Sequence, residues 1–275
     1  MSLPLARQRP SEKQGLRLRA ERIGLALTGA VLVCFLLLPV VALVSGESLD
    51  DLRAGLSHPL VWPALRLSLL TTSLSLVVTL VLGTPLAWTL ARSRSRIARA
   101  AEAAVQLPVV IPPAVAGLAL LLAFGRHGLL GGRSLAFTMA AVVMAEIFVS
   151  APFFVKAATS AFRRVDSRLV DVARTLGASP VRVFVRVGVP LALPGIVSGA
   201  AMSWARALGE FGATLMFAGN LPGRTQTVPL AIYAAFEVDL AAARSLAVVL
   251  VAVAFVALVV MRAAWSRSAV AGDPS

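Results

Sequence analysis

The chain is poor in the residues from which redox, metal and nucleotide chemistry is built. Cysteine occurs once, at Cys34, so no intrachain disulfide can form and no paired-thiol motif exists. The two histidines, His58 and His127, have no second ligand at metal spacing, which argues against a zinc-type site. Lysine also occurs only at Lys13 and Lys156, and neither follows a glycine. A phosphate loop of the form G-x-x-x-x-G-K-[ST] is therefore missing, and with it any nucleotide site of that kind. There is no G-x-S-x-G nucleophile elbow and no accessible carboxylate pair with a partner base, so a membrane enzyme is a poorly supported reading.

What fills the chain instead is hydrocarbon. Of 275 residues, 58% are hydrophobic and only 14% charged, and the mean hydropathy is +0.86. That is too apolar for a soluble domain of this length. A helix crosses a hydrocarbon core of about 30 Å with roughly 20 apolar residues. Six runs of that kind are present: Gly24–Val44, Leu67–Leu90, Val105–Phe124, Leu135–Val155, Leu191–Phe217 and Leu246–Met261. The first is longer than the roughly 7 to 15 residues of a signal-peptide core, so it reads as an anchor. The expected fold is an all-α integral membrane protein with six transmembrane helices. It comprises a basic N-terminal segment 1–23, a transmembrane domain 24–265 and a short tail 266–275.

The net charge of +13 raises the question of a nucleic-acid surface, and the distribution of basic residues answers it. Six precede the first span, four lie between the second and third, seven between the fourth and fifth, and two in the tail. The alternate loops hold two each, together with Glu47, Asp50, Asp51, Glu237 and Asp239. This is the positive-inside pattern, which puts both termini in the cytoplasm. Lipid is the expected neighbour, and nucleic acid is not.

One connection differs from the others. Residues 156–190, the loop between the fourth and fifth spans, are long and basic. Ser167 is placed to cap a short helix whose apolar positions Leu169, Val172, Ala173 and Leu176 share a face. Gly177 suits the left-handed position that ends such a helix, and Ser179-Pro180 is a strong start for a second. The result is an elbow in water, either a docking knob for another protein or an amphipathic helix lying on lipid.

The fifth span carries charges. Along its rows of four, Ala201, Ala205, Gly209 and Ala213 form a smooth seam, with Gly195 and Gly199 below it. Ser198, Met202, Arg206, Glu210 and Thr214 form a polar stripe beside it. Charges at mid-bilayer cost about 3 kcal/mol each on insertion scales, so Arg206 and Glu210 are expected to pair with each other or with a neighbouring helix. Such a pair either fixes helix rotation or takes part in a pathway. Glu146 in the fourth span reads in the same two ways, as a packing residue or as a contact of Arg206 or the pathway. Pro108, Pro112 and Pro113 free backbone carbonyls in the third span, which makes it irregular, as a kink or as a hinge or gate.

The elbow also carries a resemblance. Asp171-Val172-Ala173, three residues, Gly177, nine residues, then Val187-Gly188-Val189-Pro190 is similar to the E-A-A…G…I-x-L-P loop of binding-protein-dependent ABC importer permeases, with the spacing intact and Asp, Val, Val and Val as departures. From Val181 to Tyr233, "ARALGEFGAT", "AGN", "PGRTQT" and "PLAIY" resemble the molybdate/tungstate permeases, as does "LPVVIPPAVAGLALL" of the third span; sulfate/thiosulfate permeases share part of the pattern. The resemblance implies a homodimer of permease subunits, two separate ATPases that hold ATP and magnesium, and an external binding protein that delivers molybdate or tungstate. It assigns ATPase coupling to Asp171, Ala173, Gly177, Ala178 and Ser179, with no cofactor in this chain and no enzymatic activity of its own. Anion handling would fall to Ser198, Thr214 and Asn220, with Glu210 orienting or shielding. The rival from another class is a secondary transporter using Glu146 and Glu210 as a proton relay.

Overall fold

A computed structural model of the chain describes residues 12–46, 48–129, 132 and 134–270. All regular structure among these residues is helical. The described residues up to Leu49 form one compact body and those from Asp50 onward another. The first contains α1 (Glu12–Ser45), whose apolar stretch from Arg22 to Ser45 is long enough to span. The helix extends back into the basic segment assigned to residues 1–23, of which residues 1–11 lie outside the described residues.

After the short α2 (Leu49–Leu56), the second body is organised around α3 (Val61–Arg92), α6 (Met139–Arg163) and α9 (Val189–Leu208). The helix α6 packs on both of the others. Between α3 and α6 lie α4 (Arg96–Val110) and α5 (Pro113–Phe124); between α6 and α9 lie α7 (Ser167–Thr175) and α8 (Pro180–Val183). A five-residue π-helical turn, Phe184–Gly188, joins α8 to α9, so the chain is helical from Pro180 to Leu208. The last elements are α10 (Gly212–Ala218), α11 (Val228–Phe236) and α12 (Leu240–Val270). Among the described residues, five helices are long and apolar enough to cross a membrane, and the α4–α5 pair makes a sixth span if its two parts count as one.

Several expected boundaries move. The fourth span does not stop at Val155: α6 continues to Arg163, because "KAATSAFR" contains no helix breaker and its single lysine can stay at the surface. The connection to α7 is correspondingly shorter than the expected 156–190 loop. The last helix runs through the expected tail as far as Val270. The fifth span ends at Leu208, not Phe217. The segment 228–236, read as outer loop, is an apolar helix with Val228, Leu230, Ala231 and Ala235 buried. Prolines at 85, 152 and 194 lie inside long helices, where neighbouring helices and side chains can supply the freed backbone groups.

Small residues let α6 and α9 approach. A Cβ on Gly199 would sit 2.9 Å from the Ala157 Cβ and 3.2 Å from the Phe154 carbonyl oxygen, whereas one on Gly209 would meet only the Ala205 carbonyl, at 3.8 Å. Gly199→Leu should therefore cost about 1 to 3 kcal/mol by overpacking, seen as a lower thermal midpoint of the purified chain in detergent. Gly209→Ala should leave that midpoint nearly unchanged; equal effects would contradict the close α6–α9 contact.

Candidate functional site

Two helix breaks meet in the second body. The first separates α4 from α5, whose axes differ by 115°. A residue before proline is pushed out of helical backbone, and here two such residues stand in series. Ile111 precedes Pro112 and Pro112 precedes Pro113, and both are extended, with ψ of 130° and 137°. Pro113 then opens α5, where its missing N–H costs nothing. Pro108 is inside α4 and half-buried, while Pro112 and Pro113 are exposed. At 12 residues α5 is about 18 Å long, too short to cross alone.

The second break is at 209–211, between α9 and α10. Gly212 at the start of α10 lies against Pro113 and Ala114, and Gly117 of α5 lies against Ala213 and Met216, positions where a Cβ would collide with backbone or side chain. The half-helices after each break are thus packed on each other. The expected rows of four through the fifth span are correct only up to Leu208. Gly209 terminates α9, so Ala213 and Thr214 belong to another helix and the smooth seam is interrupted.

The break changes the electrostatics of Arg206 and Glu210. They are not in mid-helix: Arg206 is in the last turn of α9 and Glu210 precedes α10. Each sign stands at the helix end that stabilises it, the cation at a C-terminus and the anion at an N-terminus. Arg206 Nη2 lies 2.8 Å from Glu210 Oε2 in an ion contact without hydrogen-bond alignment, and Glu210 Oε1 accepts a 2.8 Å hydrogen bond from the Ala213 N–H. The Glu210 side chain is 1% exposed and that of Arg206 29%. One carboxylate therefore pairs with the cation at the end of α9 and caps α10.

Of the other stripe residues, Ser198 and Met202 are exposed on the isolated chain and Gly209 is exposed beside the pair. Thr214 is fully buried. Glu146 is buried on α6 and accepts from the Thr71 hydroxyl at 2.8 Å, so its partner is α3 and not Arg206. Asn220 holds a loop, donating from Nδ2 to the Leu230 carbonyl at 3.3 Å.

A buried hydroxyl face on α3 was not anticipated. Ser68, Thr71, Thr72, Ser75 and Thr79 are all buried. Ser68 Oγ accepts from the Val228 N–H at 2.8 Å, which pins α11 to α3. On the other side of α6, Ser203 donates to the Ser150 carbonyl at 3.1 Å. The signal was in "LSLLTTSLSLVVTL", where 68, 72, 75 and 79 share one helix face, a polar stripe that an average hydropathy conceals.

At the other end of α9 the elbow has a Schellman ending. The Ala178 N–H donates to the Ala173 carbonyl, the Gly177 N–H donates to that of Arg174, and Gly177 has φ +81°. Ser179 Oγ accepts from the Arg182 N–H, with Pro180 following. The N-cap of α7 is Asp166, accepting from the Arg168 N–H at 2.9 Å, and not Ser167, which is the first helical residue. Asp166 precedes the helical backbone, where a cap must stand. Only Val170 of α7 is buried; Leu169, Val172 and Leu176 form an uncovered apolar face, Leu176 being 82% exposed. Asp171 and Ser179 are exposed, and Ala173 and Ala178 half-buried. Behind the elbow, Trp88, Phe162 and Phe184 cluster with ring centroids 5.3 to 6.2 Å apart, joining α3, α6 and the π turn.

Residues 79–269 match the family described as binding-protein-dependent transport system inner membrane component. The chain belongs to that family and is a multi-pass membrane protein. It is 46% identical over 235 residues to the molybdenum transport system permease protein ModB of Mycobacterium tuberculosis, covering 83% of this chain and 88% of that one. It is 36% identical over 239 residues to the molybdate/tungstate transport system permease protein WtpB of Pyrococcus abyssi, covering 86% and 92%. Its fold is shared with a crystal structure of a bacterial ABC transporter involved in alginate import, with a TM-score of 0.72 at 17% identity over 95% of this chain and 100% of that one.

Removing one partner of a buried ion pair strands the other, at a cost of about 3 to 5 kcal/mol. Arg206→Leu should therefore lower the thermal midpoint more than Glu210→Gln, because Gln can still accept from Ala213 while Arg206 can turn to solvent. Equal losses in the two variants, measured in the same detergent, would contradict the asymmetry.

Proposed function

We propose that this chain is the membrane-spanning subunit of an ATP-driven importer that carries molybdate or tungstate into the cytoplasm. The observation that carries the substrate assignment is the 46% identity to a molybdenum permease over most of both chains. In this reading two copies form the pathway and both termini are cytoplasmic. An external binding protein delivers the oxyanion, and ATP is hydrolysed on two separate subunits that hold the nucleotide and magnesium.

The elbow is the docking element for the ATPase. Its uncovered face of Leu169, Val172 and Leu176 is the kind of small apolar surface a partner groove accepts; Ala173, Gly177, Ala178 and Ser179 fix its shape, and the exposed Asp171 stands beside that face. Movement of the elbow reaches the spans through the π turn and the Trp88, Phe162 and Phe184 cluster, since these residues sit at the root of α9. The paired breaks supply the parts that can shift: α5 and α10 are short, packed on each other, and joined to longer helices by single non-helical turns. Pro108, Pro112 and Pro113 act there as hinge residues. Ser198, Arg206, Gly209, Glu210 and Thr214 border the path on either side of the break, where the carboxylate shields and does not bind the anion. Asn220 and Glu146 hold the surrounding helices.

The complete complex with its ATPase and binding protein, reconstituted in vesicles, should take up molybdate or tungstate only with ATP, and sulfate at least roughly tenfold less well, the discrimination that differential hydrogen bonding can supply. Leu176→Asp should leave the chain folded but abolish co-purification of the ATPase. Uptake driven by a proton gradient without ATP would contradict the proposal, and preferred uptake of sulfate would replace the substrate.

A further inference from the structure

Away from the breaks, a cavity of about 470 Å³ opens between the end of α3, the start of α4 and the end of α6. Four of its lining residues are arginines, Arg92, Arg94, Arg99 and Arg163. A volume of this size is in the range that binds small ligands. Of the four, Arg163 has a carboxylate partner, Glu102 on α4, at 2.8 Å. Arg92 stacks over Trp88 at 4.6 Å and donates from Nη2 to the Val165 carbonyl at 3.4 Å, while its Nε is buried with no hydrogen-bond partner among the described residues. Arg99 donates to the backbone carbonyl of Arg94.

Helix dipoles account for two of these residues and not for the others. Arg92 and Arg163 end α3 and α6, where a cation is favoured. Arg99 is in the first turn of α4, with Arg96 beside it and no acid there, which is the end of a helix that favours anions. Arg94 belongs to neither helix. Arg174 and Asp171 of α7 are also within electrostatic range of Arg92, so the elbow adds one charge of each sign. The cavity wall therefore carries a surplus of cations, and guanidinium forks match phosphate oxygens in pairs.

We propose that this cavity binds a phosphate group, carried by an anionic phospholipid headgroup or free as inorganic phosphate, beside the elbow. The proposal rests on the permease reading only for its side of the membrane, the cytoplasmic leaflet, where anionic lipids meet juxtamembrane arginines. Occupancy would offset the repulsion between Arg92 and Arg174, which lies in the last turn of α7.

The test uses the purified full chain and does not depend on transport. In nanodiscs of phosphatidylcholine with phosphatidylglycerol as the minority lipid, native mass spectrometry should find phosphatidylglycerol preferentially retained. Arg94→Gln with Arg99→Gln should weaken that retention by roughly tenfold, since each arginine near the surface contributes to anionic-lipid attraction. Arg168→Gln, on the exposed part of α7, should leave it unchanged. In a second arm, the delipidated chain in detergent is titrated with inorganic phosphate. A rise in thermal midpoint that the double variant lacks identifies free phosphate as a ligand, whereas retention in the lipid arm alone identifies the headgroup. Should the double variant fail to fold, Arg94→Gln alone, at an exposed position, serves in both arms. Equal retention of the two lipids together with no response to phosphate overturns the proposal, and so does an equal loss in Arg168→Gln.

Discussion

A helix that stops inside a bilayer protein exposes amides with no water to meet them, and the carboxylate of Glu210 answers that constraint at the most consequential stop in this chain. One oxygen takes the Ala213 N–H at the head of α10 and the other faces Arg206 at the foot of α9. Without this bridge the break at 209–211 would leave the Ala213 donor unsatisfied among apolar helices and Arg206 without its partner. With it, α9 can end, α10 can turn away, and Gly212 can come up against Pro113 of the other broken span. The packing of α5 on α10 follows from that placement.

The rest of the second body is held together by contacts at its two ends. On one side of α6, the Glu146–Thr71 bond joins it to α3; on the other, Ser203 bonds to Ser150 and glycine contacts bring α9 close. At the elbow end, Trp88 of α3 packs edge-on to Phe162 of α6 and against Phe184 of the π turn. The three long helices are thus tied by polar contacts near the breaks and by aromatic contacts near the elbow.

What was legible in the amino-acid order was what depends on local chemistry. Apolar run lengths identified the spans, and the Gly177 and Ser179-Pro180 signals located the elbow because caps and left-handed turns are decided by one or two residues. The proline series marked the third span as irregular but not the size of its bend, which also depends on α10 lying across it. The stop at Gly209 was missed because a straight-helix extrapolation continues through any residue that tolerates helix, and glycine does. Glu146 was visible as a buried charge, yet its partner lay 75 positions away on α3, a distance that periodicity within one helix cannot bridge. Ser167 was a plausible cap, and the aspartate one position earlier took the role because the helix begins one residue sooner than the apolar pattern suggests.

The substrate reading rests on relatives, whereas the structural account rests on Glu210, and its most direct measurement is backbone amide exchange at Ala213 in the full chain. The account predicts that Glu210→Ala speeds exchange at Ala213 by at least roughly tenfold, one hydrogen bond to a charged group being worth about 1.5 kcal/mol or more, while amides within α11 keep their protection. Unchanged exchange at Ala213 would show that the carboxylate does not hold the break, and equal loss of protection across α3, α6 and α11 would show that it holds the whole fold and not this junction.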